Sequence, residues 1–77
     1  MNKKLIRAAA DSVNRDLDSK TVWLAISSWM FPLTDEELVA LAPLIKTERR
    51  VVVGRFEGHI SFSFRDRAPE EDPDLWT

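Results

Sequence analysis

The sequence predicts a small α+β domain in which two to three N-terminal helices pack on a C-terminal antiparallel β-hairpin. Three observations predict this class: apolar residues at helical spacing near the start, a capping motif in the middle, and alternating β-branched and aromatic residues around a Glu-Gly turn. An acidic, proline-containing segment follows the hairpin. We expect residues 1–67 to form the domain and residues 68–77 to form a flexible acidic tail.

The first helix is predicted over about residues 2–17. Its apolar residues recur at intervals of three or four positions: Ile6, Ala9, Val13 and Leu17. That spacing is typical of a helix with one buried face. Asp18 and Ser19 could end this helix and cap a second one. Leu24 lies five whole turns beyond Ile6, however, so one continuous helix is an open alternative.

A second helical segment is predicted from Val22 to Phe31, where apolar residues would cover every side of a helix. Pro32 ends it, because the residue before a proline is pushed out of helical geometry. Thr34 and Glu37 then form a capping box, which starts the next helix. Pro43 lacks the N–H for a helical hydrogen bond, so this helix either kinks there or ends near Leu41.

The hairpin is the clearest element. A two-residue turn at 57–58 pairs Phe56 with His59 and Val53 with Phe62. This register puts one apolar set on the inner face: Val51, Val53, Ile60, Phe62 and Phe64. The outer face then carries Val52, Gly54, Phe56, His59, Ser61 and Ser63. Because two strands leave two open edges, either the helices cover them or a second chain extends the sheet, and we expect a dimer.

Composition excludes several classes of function. The last ten residues hold four of the 13 acids and none of the 11 bases, so the rest of the chain is only mildly basic. Cysteine is absent, His59 is the single imidazole, and no nucleophile motif or glycine-rich phosphate loop occurs. We expect no enzyme, no metal and no cofactor. The apolar runs are too short to cross a bilayer, so a cytoplasmic location without membrane contact is expected.

A protein-binding surface is the main functional prediction. Aromatic residues and methionine cluster at positions 23–31, and such residues dominate interface cores when the domain core does not use them. Packing of the same residues inside the domain is an equal alternative. At the end of the chain an apolar pair follows four acids, and it either docks on a basic partner or folds back near the arginines of the hairpin. The predicted protein-binding residues are Trp23, Trp29, Met30, Phe31, Val52, Phe56, Leu75 and Trp76.

DNA binding is the alternative. Three helices followed by a hairpin resemble the outline of a winged helix-turn-helix protein, which implies a DNA-reading third helix. The first turn of that helix carries Asp35, Glu36 and Glu37, which would face phosphates. The basic residues near the open end of the hairpin are Lys46, Arg49, Arg50, Arg65 and Arg67. We therefore favour a non-enzymatic adaptor or regulator, of the kind found among small bacterial and phage-encoded inhibitors, over a DNA-binding regulator.

Overall fold

The computed structural model describes residues 1–66, in the order helix, strand, helix, strand, strand. The elements are α1 (Lys3–Asp16), β1 (Trp23–Ser27), α2 (Asp35–Leu41) with a 3₁₀ turn (Ala42–Leu44) directly after it, β2 (Arg50–Phe56) and β3 (His59–Arg65). The three strands form an antiparallel sheet in the order β1-β3-β2. The α+β class is confirmed. The predicted boundary at residue 67 and the acidic tail lie outside the described residues.

The hairpin has the register that the alternation predicts. Phe56 lies opposite His59, and Val53 lies opposite Phe62. Glu57 and Gly58 have φ angles of 42° and 80°, and two positive φ angles are what a two-residue type I′ turn requires. The inner face is the predicted one. Its residues on β3 are buried and those on β2 are half-buried against them: Ile60, Phe62 and Phe64, then Val51 and Val53.

The predicted helix over residues 22–31 is wrong, because the segment forms β1 and a turn. Leu24 and Ile26 face the core while Trp23 faces outwards, so the segment follows the two-residue period of a strand. The open second edge of β3 decides between the two structures. Pairing with this edge satisfies the backbone groups of β1 with hydrogen bonds, and it places the side chains of Leu24 and Ile26 against the core. The chain therefore fills one of the two edges that suggested a dimer.

Both helices lie on the inner face of the sheet. α1 packs on β1 and on α2, burying Ile6, Ala9 and Val13 of the predicted stripe together with Ala10, while Leu17 lies just after the helix and is half-buried against the core. From α2, Leu38 and Leu41 enter the same core. The helix ends at Leu41, and Pro43 lies in the 3₁₀ turn, which needs fewer N–H donors than a continuing helix. The predicted end near Leu41 is confirmed.

Glu37 joins the beginnings of the two helices. Its carboxylate accepts the N–H of Thr34 at 2.9 Å and the N–H of Asn2 at 2.7 Å. Thr34 Oγ1 accepts the N–H of Glu37 at 3.2 Å in return, which completes the predicted capping box. The hydrogen bonds from Thr34 and Asn2 lower the pKa of the Glu37 carboxyl below its ordinary value. Glu37 is thus a buried acid that aligns α1 with α2.

The register predicts unequal effects of one substitution on the two faces. Ile60→Thr replaces a buried ethyl group by a hydroxyl, so we expect a loss of about 2–4 kcal/mol of unfolding free energy. Val52→Thr, on the exposed outer face, should change it by less than about 0.5 kcal/mol. Urea denaturation measures both. Equal losses would contradict the assignment of the two faces.

Acidification should remove the contribution of Glu37. Because its folded-state pKa is lowered, the stabilisation is present above the unfolded value near 4.5 and is lost as the pH falls through the folded-state pKa. The difference in unfolding free energy between the natural chain and Glu37→Gln should be largest near neutral pH and shrink on acidification. Denaturation at several pH values measures it, and a constant difference would show that the carboxylate charge does not matter.

Candidate protein-binding surfaces

Nine adjoining positions on the outward side of the sheet carry no charge, and the Arg50–Arg65 pair, which points to the same side, borders them. Because β3 pairs with a strand on each side, the outward side chains of the three strands line up in three rows. None of the nine positions is Lys, Arg, Asp or Glu, although 31% of the chain is charged. The rows are Trp23, Ser63 and Val52; then Ala25, Ser61 and Gly54; then Ser27, His59 and Phe56. We call these nine residues the outer face.

Small residues form the middle row: Ala25, Ser61 and Gly54. At Gly54 a Cβ atom would lie 3.3 Å from Ser61 Oγ. The Ser61 hydroxyl thus takes the space that a side chain at Gly54 would need. On either side of this row Trp23 is 56% exposed and Phe56 is 63% exposed.

This combination differs from an ordinary solvated sheet face, where polar and charged side chains alternate with the apolar inner ones. Depletion of charge together with exposed aromatic residues is typical of the core of a protein interface. Of the residues predicted for such a surface, Trp23, Val52 and Phe56 are brought together on the outer face.

The turn after β1 presents two further predicted residues. Ser27 Oγ accepts the N–H of Trp29 at 3.1 Å, and Ser28 Oγ donates to the carbonyl of Gly58 at 2.6 Å. These bonds fix the turn beside the hairpin loop, while the Trp29 side chain is 89% exposed and that of Met30 is 73% exposed. Phe31 is different, because its side chain packs against the core. Leu75 and Trp76 lie outside the described residues.

The free edge of β1 is only partly open. Phe64 N–H donates to the Val22 carbonyl, and Ser28 N–H donates to the Gly58 carbonyl. By alternation, the backbone groups of Trp23 and Ala25 point away from β3. At the end of the strand the Ser27 carbonyl is occupied, since it accepts the Phe31 N–H at 3.0 Å. A partner strand at this edge would find few free groups.

The predicted basic set is not brought together as one site. The Arg49 guanidinium donates to the carbonyls of Thr21 and Asp18, and lies 5.3 Å from the centre of the Phe64 ring. Hydrogen bonds from Lys20 and Thr21 hold the pKa of the Asp18 carboxyl below its ordinary value, which fixes this loop under Arg49. Arg49 is therefore a structural residue.

The other basic residues lie apart from it. Arg50 and Arg65 pair across β2 and β3. The N–H of Lys46 donates to Asn14 Oδ1 on α1 at 2.8 Å. Arg67 lies outside the described residues. α2 has seven residues and begins with three acids, which oppose a DNA-reading role.

A groove between α2 and β2 was not found by sequence reasoning. Its volume is about 450 Å³, and its lining is largely apolar: Leu38, Val39, Ala42, Val53 and Gly54, with Asp35 and Arg55 at one end. Arg55 Nε donates to Asp35 Oδ1 at 3.0 Å and closes that end. Val39 is 75% exposed. The one signal in the sequence is a valine, a poor helix former, on the solvent side of a helix.

Comparison with known proteins adds no relative, since no family model, curated protein or solved structure matches the chain. Within residues 1–66 no helix has the length and apolarity needed to cross a membrane. The same residues contain no group of three or more His, Asp or Glu side chains placed to hold a metal ion. His59 is exposed at the hairpin turn, with Nδ1 3.1 Å from the Glu57 carbonyl.

Arg49→Lys should lower stability, because an ammonium group cannot reproduce the planar fork that binds two carbonyls. We expect a loss of roughly 1–3 kcal/mol in urea denaturation. Arg65→Lys, on an exposed residue, is the control and should change stability by less than about 0.5 kcal/mol. A neutral Arg49→Lys variant would contradict the structural role of Arg49.

Proposed function

We propose that the chain is a non-enzymatic, protein-binding adaptor or regulator that acts in the cytoplasm. Its contact surface is the outer face together with the exposed side chains of Trp29 and Met30. The observation that carries the proposal is the group of nine adjoining outward positions without a charged residue, bordered by the Arg50–Arg65 pair, with Trp23 and Phe56 exposed at its margins. Burial of these residues by a partner would supply most of the binding free energy.

The dimensions of the surface favour a transient complex. Three strands about 4.8 Å apart and five residues long give a face of about 14 by 17 Å. A stable interface covers about 800 Å² on each partner, so the outer face alone is too small. The turn at residues 28–31 enlarges it at the end where β1 stops. A complementary partner would place an apolar side chain over the middle row and acidic residues near Arg50 and Arg65.

A second copy of the chain is one candidate partner, which retains the expected dimer. Dimerisation by sheet extension at the edge of β1 is disfavoured, because β1 already pairs with β3 and the Ser27 carbonyl is occupied. A dimer through the outer face is consistent with the exposure of Phe56. The DNA-binding alternative has no observation in its favour, since Arg49 is engaged within the chain.

The test uses variants of exposed residues. Phe56→Ser and Trp29→Ser should weaken capture of the natural partner from the host by at least about tenfold, as expected for central interface residues. Val22→Ser is the matched control, because Val22 is 70% exposed and does not belong to the outer face. The captured protein is then purified and titrated directly by calorimetry.

Loss of binding by the outer-face variants alone supports the proposal. Binding that survives both variants, or that is lost equally in Val22→Ser, would reject it. Sedimentation equilibrium on the same proteins identifies self-association: the natural chain would be dimeric and Phe56→Ser monomeric if a second copy is the partner.

A further inference from the structure

We propose that the second edge of β2, together with the groove between α2 and β2, binds the same edge of a second copy of the chain. The two β2 strands pair antiparallel about a two-fold axis and join two three-stranded sheets into one of six strands. This contact surface is separate from the outer face, because it lies at the side of the sheet and on its inner face. Each surface can therefore be tested without the other.

The backbone of β2 has hydrogen-bonding groups along this edge. In a two-residue hairpin the pair next to the turn, Phe56 and His59, exchanges both hydrogen bonds. The alternation that follows turns the N–H and C=O groups of Val51, Val53 and Arg55 away from β3. Among residues 1–66 no strand pairs with that edge. Addition of a strand to such an edge is a common mode of recognition.

One register matches all three of these positions. When Val53 lies opposite Val53 of the partner subunit, Val51 of each chain lies opposite Arg55 of the other. Each pair exchanges two hydrogen bonds, about six in all. A shift of two residues leaves one of the three positions opposite a residue outside β2, and a shift of one opposes groups that already bond to β3. The edge is therefore complementary to itself.

The side chains of β2 favour this pairing. Edge strands that avoid association carry lysine, proline or an inward charge, whereas residues 51–54 are Val-Val-Val-Gly. The Arg55 guanidinium is turned towards its own chain, where Nε donates to Asp35 Oδ1 at 3.0 Å. In this register Val52 lies opposite Gly54 of the partner subunit, in a pair whose Cα atoms are about 4.5 Å apart. Glycine leaves room for the valine side chain at this short distance.

The groove receives the inward side chains of the added strand. Val51 and Val53 of the partner subunit point to the inner side of the extended sheet, as they do in their own chain. There they meet the apolar lining of the groove, which has a volume of about 450 Å³ and includes Leu38 and Val39. Val39 is 75% exposed in one chain. The second copy thus covers the inner face where the helices leave it open.

The size of the contact predicts a reversible dimer. The paired segments of five residues are about 17 Å long, and the helix beneath adds a layer about 10 Å deep. A stable complex covers about 800 Å² on each partner, which is several times the product of these two lengths. We therefore expect dimers at a protein concentration of about 1 mM and monomers at about 1 μM.

An NMR experiment on the full chain identifies the paired residues. In a mixture of isotope-labelled and unlabelled protein at about 1 mM, an isotope-filtered NOE experiment detects contacts between two copies only. A contact is expected between the Hα atoms of Val52 and Gly54. Within one strand these residues are about 7 Å apart, too far to produce it. A natural chain that stays monomeric at this concentration, or a dimer without this contact, would overturn the proposal.

Sedimentation equilibrium on variants gives an independent measurement. Val39→Asp places a carboxylate in the apolar groove and should raise the dissociation constant of the dimer at least about tenfold. Val22→Asp, at a valine of similar exposure away from the groove, should leave the dissociation constant unchanged. If the two variants have equal dissociation constants, the groove is not part of the contact and the proposal is wrong.

Phe56→Ser separates this dimer from one formed through the outer face. Phe56 lies on the outer face and outside the paired segment, residues 51–55, so the edge dimer should persist in this variant. A dimer that Phe56→Ser abolishes and Val39→Asp retains belongs to the outer face and overturns the edge proposal. Neither result alters the test of partner capture by the outer face, which Val39→Asp leaves intact.

Discussion

The alternation of side chains along β3 is the constraint on which the rest of the structure depends. Ile60, Phe62 and Phe64 point into the core and bond to β1, while His59, Ser61 and Ser63 point outwards and bond to β2. A shift of one residue would exchange the two sets and put three large apolar side chains in water. The two-residue turn at Glu57-Gly58 prevents that shift. Everything that packs on the inner face, including both helices, takes its position from these three residues.

The same strand makes the two edges of the sheet unlike. The free edge of β1 is partly blocked by the turn that follows it, because the Phe31 N–H donates a hydrogen bond to the Ser27 carbonyl. Among residues 1–66 no strand pairs with the other edge of β2, where the backbone groups of Val51, Val53 and Arg55 point away from β3. α2 has seven residues and its 3₁₀ extension has three, so even together with α1 these helices are too short to cover the inner face beneath both β1 and β2. A chain of this size buries a smaller fraction of its surface than larger domains do, and here the uncovered part is the region beneath β2.

Most of the fold follows from local signals in the sequence. α1 follows from its apolar spacing, the start of α2 from the Thr34–Glu37 capping box, and the hairpin from its alternation. β1 could not be recognised in the same way, because five residues of mixed apolar character fit a buried helix as well as a strand. Its structure is decided by the open edge of β3, a partner more than thirty residues away. The groove depends on the gap between α2 and β2, which no local pattern records, whereas the exposure of Val52 and Phe56 follows directly from the register.

β2 separates the outer face from the groove, and Gly54 belongs to both. Gly54 lies in the middle row of the outer face and also lines the groove. A Cβ atom at this position would lie 3.3 Å from Ser61 Oγ, so a larger residue would displace the Ser61 hydroxyl and disturb the middle row. The constraint on position 54 therefore comes from packing within the outer face, and the groove on the other side of the sheet shares a position without a side chain.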